Sequence, residues 1–214
     1  MNKTFKYYRT LATISLFLLF LNSCTPTKLI DAWKDKSYTG GTLKSVMVLG
    51  VANNPRNRKM FEEVFSKQFK GHGVEAVTSF EAIPKDVKLD KENIKSHKEI
   101  IKAAAIKRGV EAILVTHLVA VEEKEVYHPP TYELAPQYYH GFDDYYPVIF
   151  DNVYTPGYYS QHKYISLESN LYDINTEKLI WSASSKTTDP ESVNEIIESL
   201  CKEVMKSLRK NGLI

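Results

Sequence analysis

His128, His140 and His162, with Asp143 and Asp144 among them, bring metal-ligand residue types together in one stretch of the sequence. A metal-dependent hydrolase would draw its ligands from those three histidines. Their spacing gives neither an H-x-x-x-H helix pair nor a Cys/His pairing, the usual ways of presenting zinc ligands. They read as solvated loop residues, and no metal or other cofactor is expected. Nucleophilic chemistry has less support. There is no G-x-S-x-G elbow, and the G-x-G at Gly71-His72-Gly73 ends a helical pattern instead of opening one. His117 shares a strand alternation with Val115 and Val119, the setting of a packed, hydrogen-bonded histidine more than of a general base. Asp143-Asp144 and Glu122-Glu123 are sequence neighbours that read as solvated faces. No catalytic constellation emerges, and the chain reads as a non-enzyme.

The two cysteines are the remaining reactive groups. Cys24 closes a distinctive opening: Lys3, Lys6 and Arg9 without an acid, then the apolar run Leu11 to Leu21, then Asn22-Ser23-Cys24. A basic head, a short apolar run and small residues before a cut site describe a secretory signal peptide over residues 1–23. The run is too short for a membrane-spanning helix, which needs about 17–25 apolar residues. Leu21 at −3, Ser23 at −1 and Cys24 at +1 resemble the lipobox of bacterial lipoproteins, with Asn22 standing where Ala or Ser is usual. The resemblance implies that Cys24 is lipidated and becomes the new N-terminus. Each buried acyl CH₂ contributes about 0.8 kcal/mol and one chain anchors only marginally, so the several chains implied here would hold permanently. Thr25 follows in place of the Asp that retains enteric lipoproteins in the inner membrane. The expected location is therefore the periplasmic leaflet of the outer membrane.

Charge excludes another class of function. The whole chain has 28 Lys plus Arg against 26 Asp plus Glu, and the signal holds three of the bases and no acid. That leaves 25 against 26 from Cys24 onward, close to neutral, without the basic footprint that nucleic-acid binding requires. The 191 residues from Cys24 suffice for one domain with a sizeable core.

The elements follow from periodicity. Residues 24–45 read as the lipidated cysteine and a polar tether, with Trp33 folding back to cap the core. Residues 46–214 read as a single α+β domain. Val46 to Val51 is a short apolar run, as in a strand covered on both faces. Asn54-Pro55 starts a helix whose Phe61, Val64, Phe65 and Phe69 face inward. Val74 to Phe80 is a second strand. Ser96 and Glu99 form a capping box for a second helix. Ala112 to Val121 is the strongest strand. Residues 127–163 hold nine of the 14 tyrosines and five of the nine prolines, and read as an irregular insertion between strands. Lys163 to Asn175 and Leu179 to Ala183 pair as a hairpin, and Asp189-Pro190 opens the last helix, whose apolar stripe includes Cys201. The expected fold is a two-layer α+β arrangement: a mixed sheet of about five strands with three helices on one face, in the order β-α-β-α-β-(insertion)-β-β-α.

Ala32-Trp33-Lys34-Asp35, Val46 to Gly50, Asn54-Pro55 with Arg58, Gly73 to Val77, Leu167 to Asp173 and Leu179 to Ser182 together resemble an uncharacterised bacterial lipoprotein family, a domain of unknown function. The resemblance spans the chain after the signal and implies a fold and a location without an activity. Tyrosine density is the functional hint. Tyr offers large amphipathic contact area at low entropic cost, so Tyr138, Tyr139, Tyr145, Tyr146, Tyr158 and Tyr159 are candidate contacts for an envelope protein or glycan. The expected function is a membrane-anchored envelope adaptor, held through Cys24. The rival expectation is the hydrolase built on His128, His140 and His162.

Overall fold

The computed structural model describes residues 26–84, 87, 94–128 and 157–214. They form one six-stranded mixed sheet and four helices. The strands are β1 (Thr27–Lys34), β2 (Ser45–Val51), β3 (Glu75–Thr78), β4 (Ala112–His128), β5 (Tyr158–Asp173) and β6 (Leu179–Thr188). The helices are α1 (Pro55–Gly71), the short α2 (Ser79–Ala82), α3 (Ile94–Lys107) and α4 (Val193–Lys210). The sheet order is β1-β6-β5-β4-β2-β3. β2 pairs in parallel with β3 and β4, and the other pairs are antiparallel. The expected α+β class with a mixed sheet holds.

Local chemistry explains the boundaries. Asn54 caps α1 by accepting from the amides of Arg56 at 2.9 Å and Asn57 at 3.4 Å, with Pro55 in the first turn, where no N–H is missed. Gly73 takes φ +80 just past the helix, a conformation that suits only glycine well. α4 is capped by Ser192, which accepts from the Glu195 amide at 3.1 Å. Asp189 is therefore not its cap. α3 is already formed by Ile94, so Ser96 lies within it and not at its start.

Alternation along the strands makes two apolar layers. Val46, Val48, Ala112, Leu114, Leu171 and Trp181 face α1 and α4, which contribute Phe65, Phe69, Leu200, Val204 and Leu208. Met47, Leu49 and Ile113 point the other way, against Ala105 and Ile101 of α3. The third helix thus covers the opposite face from the other two, because a strand apolar on both sides needs cover on both. Lys98 and Lys102 of α3 pair with Glu177 in the β5–β6 turn, and this pulls its carboxyl down to about 2. Cys201 is buried in the first layer, and burial pushes its thiol up to about 12. It is expected to ignore a thiol-specific reagent in the native protein and to react fully in denaturant, which a timed labelling series reads directly.

β1 replaces much of the expected tether. It runs antiparallel to β6 from Thr27 opposite Thr187 to Lys34 opposite Trp181, with a register irregularity between Leu29 and Asp31. Its anchor is polar: buried Thr27 Oγ1 lies 2.7 Å from Thr187 Oγ1 and 2.6 Å from Ser199 Oγ. Trp33 stands half-exposed on this edge strand opposite Ser182 and does not cap the core. The stretch 127–163 is also partly regular: β4 continues to His128 and β5 resumes at Tyr158.

Candidate functional site

β4 and β5 outrun their neighbours. β2 accompanies β4 only as far as His117, and β6 accompanies β5 only as far as Tyr164. Beyond both points Glu123–His128 and Tyr158–Lys163 make a two-stranded arm. A bulge at Val119, where Leu118 pairs with Leu167 and Ala120 with Ser166, marks its base and breaks the alternation that would have put Val119 beside His117. His117 itself is half-buried, opposite Val51 and Glu168.

The arm carries two kinds of surface in sequence. Its middle is charged, with Glu123, Lys124 and Glu125 opposite Lys163, His162 and Gln161. Its end is aromatic. Tyr127 sits directly opposite Tyr159 with ring centroids 5.0 Å apart, and His128 stacks on Tyr158 at 4.7 Å. Tyr158 and Tyr159 are 65% and 68% exposed, so among the described residues these rings pack on their cross-strand partners and little else. Of the expected contact residues, Tyr158 and Tyr159 are thus together on this end. Tyr138, Tyr139, Tyr145, Tyr146, Cys24 and His140 lie outside the described residues.

One face of the arm joins two of the sequence-predicted histidines through a residue the sequence did not single out. Ser160 Oγ lies 2.8 Å from His128 Nε2 and 2.9 Å from His162 Nε2. His162 Nδ1 donates to Asp189 Oδ2 at 2.5 Å, and the Lys163 amide donates to Asp189 Oδ1 at 2.6 Å. With Nδ1 carrying the proton, a neutral His162 accepts at Nε2, so the Ser160 hydroxyl donates to it and His128 donates to Ser160. The alternation of Ser160 and His162 on one strand face was readable. The arrival of Asp189 from the end of β6 was not. The chain resembles a Ser-His-Asp relay in connectivity. It lies beside an open cleft of about 430 Å³ lined by Glu123, Lys124, Glu125, Gln161, His162, Lys163 and Asp189. Among the described residues no set of three or more His, Cys, Asp and Glu could hold a metal.

His162 first, and then the Lys163 amide, hold the Asp189 carboxyl below its ordinary 3.8. A depressed acid stabilises the fold above its unfolded value, and that contribution is lost as pH falls through the lowered one. Asp189 is expected to titrate below 3.8 by NMR, and to move back up in His162→Ala. An unchanged midpoint would show that the contact is absent in solution.

The carboxyl ends of parallel strands are where open α/β sheets usually bind ligands. Here that position is filled from within. Glu62 of α1, 0% exposed, accepts from the Gly50 amide at 3.1 Å, the Ser79 amide at 2.8 Å and Ser79 Oγ at 2.6 Å. Arg58 donates to it from Nε at 3.0 Å, also bonds Ser79, and lies over the Phe80 ring at 4.5 Å. Every interaction is internal, so this cluster locks α1 to the β2 and β3 ends. A glutamate at a helical position gives no sequence sign of burial.

No protein-family model and no curated protein matches the chain, so the family resemblance rests on the residues that carry it. Two solved structures show a partial likeness. The PelC dodecamer from Paraburkholderia phytofirmans is 12% identical over 88% of this chain and 99% of that one, with a TM-score of 0.45. Lipoprotein GNA1162 from Neisseria meningitidis is 12% identical over 78% and 98%, with a TM-score of 0.37. At these values the likeness carries no argument about activity. Among the described residues, no helix is long and apolar enough to cross a membrane.

Proposed function

We propose that this is a lipid-anchored envelope protein without catalytic activity, held through Cys24 and using the β4–β5 arm as its interaction surface. The supporting observation is where the sheet begins. The Pro26 carbonyl, two residues past Cys24, already accepts from the Thr188 amide at 3.1 Å. Cleavage after Ser23 would leave the sheet intact and put Cys24 two residues before Pro26. Thr25 in place of Asp favours the periplasmic leaflet of the outer membrane, and the aromatic arm suits an adaptor that meets an envelope protein or glycan. Cys24→Ser is expected to move the protein from the membrane fraction to the soluble fraction or to leave its signal uncleaved. A Cys24→Ser protein that is processed as the wild type and still fractionates with the membrane would sink the reading.

The Ser160–His162–Asp189 chain favours a second reading, a hydrolase acting at the arm. Its two-stranded support is a poor platform for holding a reacting geometry. Ester hydrolysis by purified protein that disappears in Ser160→Ala would establish it.

A further inference from the structure

We propose that the end of the arm, Val126, Tyr127, Tyr158 and Tyr159, rests in the headgroup region of the same membrane that holds Cys24. This rests on the anchored reading and names the partner of the arm's described end: the lipid itself.

Direction and reach bring it there. Thr27, Thr187, Ile165 and Val121 stand in one row across the sheet. β1 and β5 are each antiparallel to β6, so they run the same way, and the chain leading back from Thr27 leaves the sheet in the direction in which the arm projects. The Thr188 amide bond to the Pro26 carbonyl holds that direction for one more residue. From Thr27 to Cys24 is three residues, at most about 11 Å of extended chain. From Ile165 to Tyr158 is seven residues of strand, about 23 Å. The arm therefore reaches about 12 Å further than the anchor can. Headgroups occupy about 5–8 Å on each side of the hydrocarbon core. With the acyl chains fixed at Cys24, so short a link to the sheet brings the longer arm's described end to the surface.

The order of residues along the arm fits that placement. The charged stretch from Glu122 to Lys124, opposite Tyr164 to His162, lies at the level Cys24 can reach. The uncovered tyrosines and Val126 lie beyond it. Tyrosine, with an apolar ring and a polar hydroxyl, is the residue type that settles at a membrane interface.

The test uses full-length protein purified from membranes and reconstituted in vesicles of phosphatidylethanolamine and phosphatidylglycerol bearing brominated acyl chains. With the Cys24 sulfur lipidated and Cys201 buried, one introduced cysteine takes a fluorophore: Tyr159→Cys at the arm's end, Tyr158→Cys as a second position, and Asn175→Cys in the turn at the far end of the sheet. Flotation first shows that the protein is anchored. The labels at 158 and 159 are then expected to lose most of their emission to bromine, while the label at 175 keeps its own. Floated protein with equal emission at all three positions would overturn the inference and leave the anchor standing. Shielding at 159 in native envelopes but not in pure lipid would overturn it in favour of a protein partner. Protein with an unmodified Cys24 that fails to float would overturn the anchored reading, and this one with it.

Discussion

Glu62→Ala is expected to cost about 3–5 kcal/mol, the range for removing one partner of a buried, hydrogen-bonded ion pair. The reason lies in what stays behind. The buried Gly50 and Ser79 amides would lose their acceptor, and the partly buried Arg58 guanidinium its counter-charge. Most domains have only about 5–15 kcal/mol of net stability, so a large share of the protein should unfold in mild denaturant. Glu62→Gln keeps the shape and one acceptor oxygen, and should fall between wild type and Glu62→Ala. Arg58→Ala should cost less than Glu62→Ala, because the backbone amides would still hold the carboxylate. Urea unfolding of the four proteins gives the comparison. A Glu62→Ala cost below about 1 kcal/mol would mean that the pair is solvated, as surface pairs are.

Trp181→Ala should be comparably severe, about 3–5 kcal/mol, as for other large-to-small changes in a packed core. Trp181 is 0% exposed and is the largest fully buried side chain among the described residues. It lies in the layer beneath α4, where its indole N–H donates to Ser207 Oγ at 3.3 Å. Truncation would leave a void between β6 and α4 and deprive the buried Ser207 of its partner. Trp181→Phe should fill most of the space and cost much less, chiefly the lost hydrogen bond. Equal losses for Ala and Phe would place the energy in that bond and not in packing. The same result bears on the L-I-W-S stretch of the family resemblance, whose tryptophan then serves the core.

Where a residue's local chemistry decides its structure, the sequence is a reliable guide. Asn54-Pro55, the phenylalanine stripe of α1 and the apolar run of β2 all appear as their residue types demand. The failures have separate causes. β1 is an edge strand whose inward anchor is Thr27 and whose alternation is interrupted near Ile30, so no apolar period announces it. The position of α3 was implicit in Met47, Leu49 and Ile113, which need cover on the side away from Phe65. Asp189-Pro190 looks like a helix start, yet the carboxylate is occupied by His162 and Lys163 from β5, and Ser192 takes the cap. Glu62, Ser160 and Asp189 owe their roles to partners far away in sequence. A helix pattern or a strand pattern alone cannot reveal such partners. The histidines of the arm were visible as candidates, but only the β4–β5 register shows that two of them meet across Ser160.

The account depends most on Cys24. The most direct measurement is the mass and sequence of the N-terminal peptide from protein extracted from its own membranes. The account predicts a peptide beginning at Cys24 and carrying acyl chains, with residues 1–23 gone. A peptide that begins elsewhere, or an unmodified Cys24, would contradict it.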